Sequence, residues 1–146
     1  MHLRFNNSFR RTVEVQKIPT WILVVALALF DRDGRVLLQQ RPLGKHHGGM
    51  WEFPGGKVET IENPVDALVR EIAEELALEL DPAQLEPAFF AEEGSNPRVV
   101  LNLYTSRQQV GMPVGCEGQQ WGWFTLAEAA TVALAPMDRK LLSRIA

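Results

Sequence analysis

The chain has 146 residues, 46% hydrophobic and 23% charged, which fits one soluble globular domain with a sizeable core and leaves no room for a low-complexity tract. A formal charge of −3 argues against a broad electrostatic grip on nucleic acid, but a nucleotide-sized anion stays within reach where a bound cation supplies positive charge. Cys116 is the only cysteine, so no intrachain disulfide forms, and it reads as a buried or chemically bland thiol.

Residues 1–18 carry Arg4, Arg10 and Arg11, interrupted by Glu14, and read as an arm or an added edge strand before a domain spanning residues 19–146. The apolar run 21–30, WILVVALALF, is too short to cross a bilayer, which needs about 20 residues. It also lies too far from the start, and lacks a cleavage site, for a secretory signal, so the cytoplasm is the expected location and no membrane partner is expected. The run reads instead as a strand buried on both faces. Asp33-Gly34 marks a turn and residues 36–40 a returning strand. Residues 41–50 form a loop whose adjacent His46 and His47 have no nearby partner ligands; they read as solvated, or as weak phosphate contacts. Residues 51–53 form a short strand that leads into Pro54-Gly55-Gly56, expected as a sharp turn whose backbone approaches a ligand closely.

A helix is predicted from about residue 64. Asn63 is a good N-cap, Pro64 suits the first helical position, and Asp66 favours the positive end of the helix dipole. Val65, Leu68, Val69, Ile72 and Leu76 form its core-facing stripe, and Asp81-Pro82 is expected to end it after about Leu80. Glu71, Glu74 and Glu75 lie on a neighbouring arc. Carboxylates about 6 Å apart repel by roughly 3 kcal/mol per pair at an effective dielectric near 20, and by under about 1 kcal/mol in water. An EIAEE run by itself therefore reads as a solvated face. A glycine-led segment with a further acid, Glu62, just before it changes that reading, because hard divalent cations take several oxygen ligands and leave positions for substrate phosphates.

Beyond the helix, residues 85–91 and 98–105 read as strands, the second with Val99, Leu101 and Leu103 alternating against Asn102 and Tyr104. Residues 108–120 form a long polar loop holding Glu117, and loops of that length in a domain are often functional. Residues 121–124 form a last strand, Thr125 and Glu128 a capping box, and residues 137–145 a final helix after Pro136, with Leu141, Leu142 and Ile145 facing the core. Strands on both sides of a central helix, with a helix at the end, give an α/β fold: a mixed β-sheet between helices, an α/β/α sandwich.

The spacing Gly56, five residues, Glu62, seven residues, Arg70-Glu71-Ile72, one residue, Glu74-Glu75, one residue, Ala77, Leu78 resembles the Nudix box of hydrolases acting on nucleoside diphosphate-linked compounds. Every charged position of the box is present; Ile61 and Ala77 stand where the family commonly has glycine. The resemblance implies the same α/β/α sandwich and Mg²⁺, with Mn²⁺ as a substitute. It implies metal ligation by Glu71, Glu74, Glu75 and the Gly56 carbonyl, Glu71 as candidate general base, and Arg70 holding Glu62 and other carboxylates in place. Glu117 stands at a place similar to the loop acid that assists metal binding in MutT-type members. Arg41, Phe53, Arg98 and Asp138 resemble residues that line the base pocket of that branch, although Asp138 replaces an asparagine and donates a hydrogen bond only when protonated. The expected partner is a small nucleotide, the expected assembly a monomer or homodimer, and the expected reaction hydrolysis of a nucleoside triphosphate, with 8-oxo-dGTP the leading candidate. The alternatives are a pyrimidine triphosphate, another nucleoside diphosphate-linked compound, or nucleotide binding without turnover.

Overall fold

The structure, a computed structural model, describes residues 20–95 and 97–146, so the readings of residues 1–18 lie outside the described residues. Its elements in order are β1 (Ile22–Leu29), β2 (Val36–Gln40), β3 (Trp51–Glu52), β4 (Gly55–Lys57), α1 (Pro64–Leu76), β5 (Glu86–Glu93), β6 (Val99–Ser106), β7 (Trp121–Phe124), α2 (Leu126–Ala129) and α3 (Pro136–Ile145), with one turn of 3-10 helix at Pro82–Gln84.

The apolar run becomes the inner strand β1, and its side chains alternate between two cores. Ala26 and Ala28 join Leu101, Leu103, Leu141 and Leu142 on one face, while Val25, Leu27 and Leu29 meet Leu68, Ile72 and Leu76 on the other. Helix α1 therefore covers one side of the sheet and α3 the other, as the sandwich reading requires. Each fully buried leucine or isoleucine of α1 contributes about 2 kcal/mol of apolar burial. Strand β1 pairs in parallel with β6, Ile22 opposite Val99 through Leu29 opposite Ser106, and antiparallel with β4, giving the order β4-β1-β6-β5. Tyr104 of β6, read as part of a polar face, is buried against the α1 side.

The mixed sheet divides in two. Asp31 closes the turn by accepting hydrogen bonds from the backbone N–H groups of Asp33 and Arg35 at 2.9 and 2.8 Å. Past the single Phe30–Val36 bridge, β2 leaves β1 and forms a second sheet of order β3-β2-β7. Gly55 and Gly56, expected as a turn, are the strand β4, with Gly56 opposite Val25 and Gly55 opposite Ala26. The reason is closeness: a Cβ on Gly55 would run into the Val25 carbonyl, so only glycine lets this short strand pair.

Helix α1 starts as predicted, with the Asn63 side chain accepting from the Asp66 N–H at 2.9 Å. It stops at Leu76, four residues earlier than expected, because Ala77 takes a left-handed conformation at φ 53°. Leu78 and Leu80 then alternate into the core as extended chain. Ile61 is likewise left-handed at φ 71°. Both glycine positions of the box thus keep the backbone geometry glycine favours, although neither holds glycine. At the other end of the chain, Thr125 caps α2 by accepting from the Glu128 N–H at 3.1 Å.

Candidate active site

Arg70 is the hub of the acidic helix. Its guanidinium donates to both Glu62 carboxylate oxygens, at 2.6 and 3.0 Å, to Glu71 at 3.0 Å, to Glu74 at 3.2 Å and to the Lys57 carbonyl at 3.1 Å. It therefore ties the segment before α1, the helix and β4 together. The hydrogen bonds from Arg70 hold the Glu62 carboxyl down at about 2, and those to Glu62 and Glu71 raise the guanidinium still further above its ordinary value. Glu71 moves the other way, because burial outweighs Arg70 and lifts its carboxyl. Glu71 lies so close to β4 that a Cβ on Gly56 would overlap its carboxylate.

Among the described residues, Glu75 has no such cation. Burial pushes its carboxyl up to about 7, a hydrogen bond from Gln39 at 2.8 Å opposes the shift, and the charges that add to it belong to Glu52, Glu71 and Glu117. Gln39 is a buried polar residue next to the three buried apolar residues of β2, and the sequence reading passed it over. Its signal was present: Gln39 shares strand parity with Leu37, which is wholly buried on the α1 side, so a polar residue there needs a partner. Cys116, next to Glu117, is exposed, contrary to the buried reading; its N–H is spent on the Glu75 carbonyl.

Glu75, Glu117, Gln39 and Gly56 line part of a cavity of about 480 Å³ at the junction of the two sheets, a volume in the range of small-molecule sites. The wall continues through Val24, Ala26 and Leu101 to Phe53, Met137 and Asp138. Arg41, Phe53 and Asp138 all line this cavity. Arg41 pairs with Glu52 at 2.7 Å and donates to the His46 carbonyl at 2.7 Å; the Phe53 N–H donates to Asp138 at 2.9 Å. Burial lifts the Asp138 carboxyl to about 7. Glu52, missed in the sequence, faces the same space and is raised by its own burial. His46, His47, Lys45 and Lys57 also line it. Arg98 does not: Pro97 and Val99 face the cavity, and the strand alternation leaves the exposed Arg98 outside it.

A NUDIX domain model matches residues 20–145. The chain belongs to the Nudix family. Within it the chain is MutT-like. It is 37% identical over 83% of its length to the CTP pyrophosphohydrolase of Escherichia coli, covering 89% of that protein. It is 32% identical over 85% of its length to an 8-oxo-dGTP diphosphatase of Haemophilus influenzae, covering 90% of that one. A MutT NUDIX hydrolase from Burkholderia pseudomallei superimposes with a TM-score of 0.76 at 29% identity, over 87% of this chain and 99% of that one. This Nudix protein is accordingly a pyrophosphohydrolase, acting on acid anhydrides of small nucleotide compounds.

Nudix hydrolases use a divalent metal, and the donor set here fits one. Glu75 is a half-buried carboxylate that lines the cavity and feels the charges of Glu52, Glu71 and Glu117, and Glu71 lies against Gly56, so oxygen donors suited to a hard cation lie around β4 and the end of α1. The acids are not yet gathered, contrary to the convergent cluster expected from the spacing. Among the described residues no three His, Cys, Asp or Glu side chains surround one point, because Arg70 draws Glu71 and Glu74 to itself and Gln39 holds Glu75.

Proposed function

We propose that this Nudix hydrolase converts a nucleoside triphosphate to the nucleoside monophosphate and pyrophosphate in the presence of Mg²⁺ or Mn²⁺, clearing unwanted nucleotides from the cytoplasmic pool, with 8-oxo-dGTP as the first candidate. It acts as a single-domain monomer or homodimer, without stable binding to nucleic acid. One observation carries the reading: a single cavity is lined both by the acids Glu75 and Glu117 and by Leu101, Phe53, Met137 and Asp138, which offers phosphates and a base different groups to meet.

Glu71, Glu74, Glu75 and Glu117, with the Gly56 carbonyl, would hold the cation, which when bound neutralises charge on the phosphate oxygens and on the leaving pyrophosphate. Glu71 accepts the proton of the attacking water as the phosphoanhydride bond breaks. Arg70 keeps Glu62 and Glu71 in register with β4, and Lys57 offers charge to the phosphates. At the far end Phe53 and Met137 enclose the base, and Asp138, with one oxygen tied to the Phe53 N–H, presents the other to the base edge. CTP is the second reading, supported by the relative that hydrolyses it and by a carboxyl rather than an amide at position 138.

Incubation with Mg²⁺ and a panel of normal and oxidised nucleotides should release pyrophosphate and monophosphate, fastest from 8-oxo-dGTP; orthophosphate as the product would overturn the assignment. Glu75→Gln should remove most Mg²⁺-stimulated turnover, by about a hundredfold or more, while leaving the circular dichroism spectrum intact. Near-normal turnover in that variant would count against the proposed site.

A further inference from the structure

The end of α1 is held by a chain of side-chain amides that the reaction scheme leaves unused. Gln39 Nε2 donates to Glu75 Oε2 at 2.8 Å and, more weakly, to Glu52 at 3.4 Å. Gln39 Oε1 accepts from Gln119 Nε2 at 3.1 Å, and the same nitrogen donates to the Glu75 carbonyl at 2.8 Å. Gln119 Oε1 in turn accepts the backbone N–H of Glu117 at 3.0 Å. Every N–H of the two amides finds an acceptor, and each amide oxygen finds a donor. The orientation is fixed by chemistry: flipping Gln39 would set its oxygen against a carboxylate and its nitrogen against another nitrogen.

The backbone works in the same direction. Because Ala77 ends the helix, the carbonyls of Glu75 and Leu76 have no helical partners, and loop N–H groups take them, Cys116 at 3.0 Å and Val114 at 2.9 Å. The loop that carries Glu117 is thereby docked onto the turn that carries Glu75. Gln119 joins the two acids through backbone and side chain at once.

We propose that Gln39 and Gln119 are positioning residues, an amide clamp that fixes the Glu75 carboxylate and brings the loop acid Glu117 to it. The clamp restrains Glu75 Oε2, and among the described residues Oε1 accepts no hydrogen bond. A hydrocarbon side chain at position 39 would leave Glu75 half-buried among acids without its donor. An alanine at 119 would release Glu117 from the helix end while leaving the core untouched, since Gln119 is only half-buried.

The proposal rests on the reading that Glu75 and Glu117 hold the cation, and the test separates the two. Calorimetric titration of the metal-free, full-length protein with MnCl₂, without nucleotide, is run on wild type, Gln39→Ala, Gln119→Ala, the double variant and Glu75→Gln. Mn²⁺ affinity is expected to fall by about tenfold in each single glutamine variant. The double variant should lose little more than the larger single loss, because both residues act through one chain. In turnover, kcat should drop with nucleotide KM held within about twofold, since neither glutamine is expected to touch the base. Wild-type Mn²⁺ affinity in folded Gln39→Ala and Gln119→Ala, with Glu75→Gln impaired, overturns the clamp and keeps the metal reading. Wild-type affinity in Glu75→Gln removes the metal reading and the clamp with it. Should Gln39→Ala fail to fold, Gln119→Ala on the loop decides alone.

Discussion

Asp138 holds its proton more tightly folded than unfolded, since burial lifts its carboxyl from 3.8 to about 7. Between those values the folded chain carries a proton that the unfolded chain has lost, so this group's contribution to stability is full below about pH 4 and is lost as the pH rises through 7. Asp138→Asn keeps an acceptor for the Phe53 N–H and has nothing to ionise. Its stability relative to wild type should climb between pH 5 and 7 by up to about 1.4 kcal/mol per unit, measured as unfolding free energy in urea; parallel curves would show that Asp138 is not titrating there. Ile61 makes a separate case, as a fully exposed, β-branched residue at φ 71°. A left-handed L-residue costs roughly 1–2 kcal/mol, against roughly 0.5–1 kcal/mol for the extra freedom glycine has when unfolded. Ile61→Gly should therefore raise the melting temperature by about 2 °C, and a fall would mean that the side chain has a role its exposure hides. The acids and Arg70 were legible as residues because their spacing is the box itself. Gln39 and Glu52 were not, since a polar residue at the end of a strand does not announce its partner until a helix from elsewhere in the chain is laid across it.

Strand β4 shows how two neighbouring glycines differ in purpose. A Cβ on Gly55 meets the Val25 backbone, which cannot yield without breaking the pairing with β1, whereas one on Gly56 meets only the far end of the Glu71 side chain. Gly55→Ala should lose about 2 kcal/mol or more of stability. Gly56→Ala should melt near wild type yet lose most of its turnover as the Glu71 carboxylate is displaced. Thermal melts alongside activity assays separate the two, and equal effects at both positions would refute this distinction. Strand and helix starts were readable because apolar alternation and capping residues are local signals, as at Asn63 and Thr125. The end of α1 was not. Alanine at position 77 looks like a helix continuing, and the loop N–H groups that take up the Glu75 and Leu76 carbonyls once it turns left-handed lie about forty residues further along.

The layered architecture followed from the order of apolar runs, but the division into two sheets did not, because nothing in the 31–35 turn says whether the returning strand will stay beside β1. Around the cavity, the residues proposed for the reaction and those proposed for the base come from different elements. The proposed hydrolytic groups ride on β4, α1 and the loop beside it; the proposed base wall is built from the segment after β3 and from α3. On the proposed assignment, a change of preferred nucleobase at Asp138 or Met137 arises by drift in one set of elements while the groups proposed to activate water, on the other set, stay as they were. Relatives with one chemistry and many tastes are what such a chassis would produce.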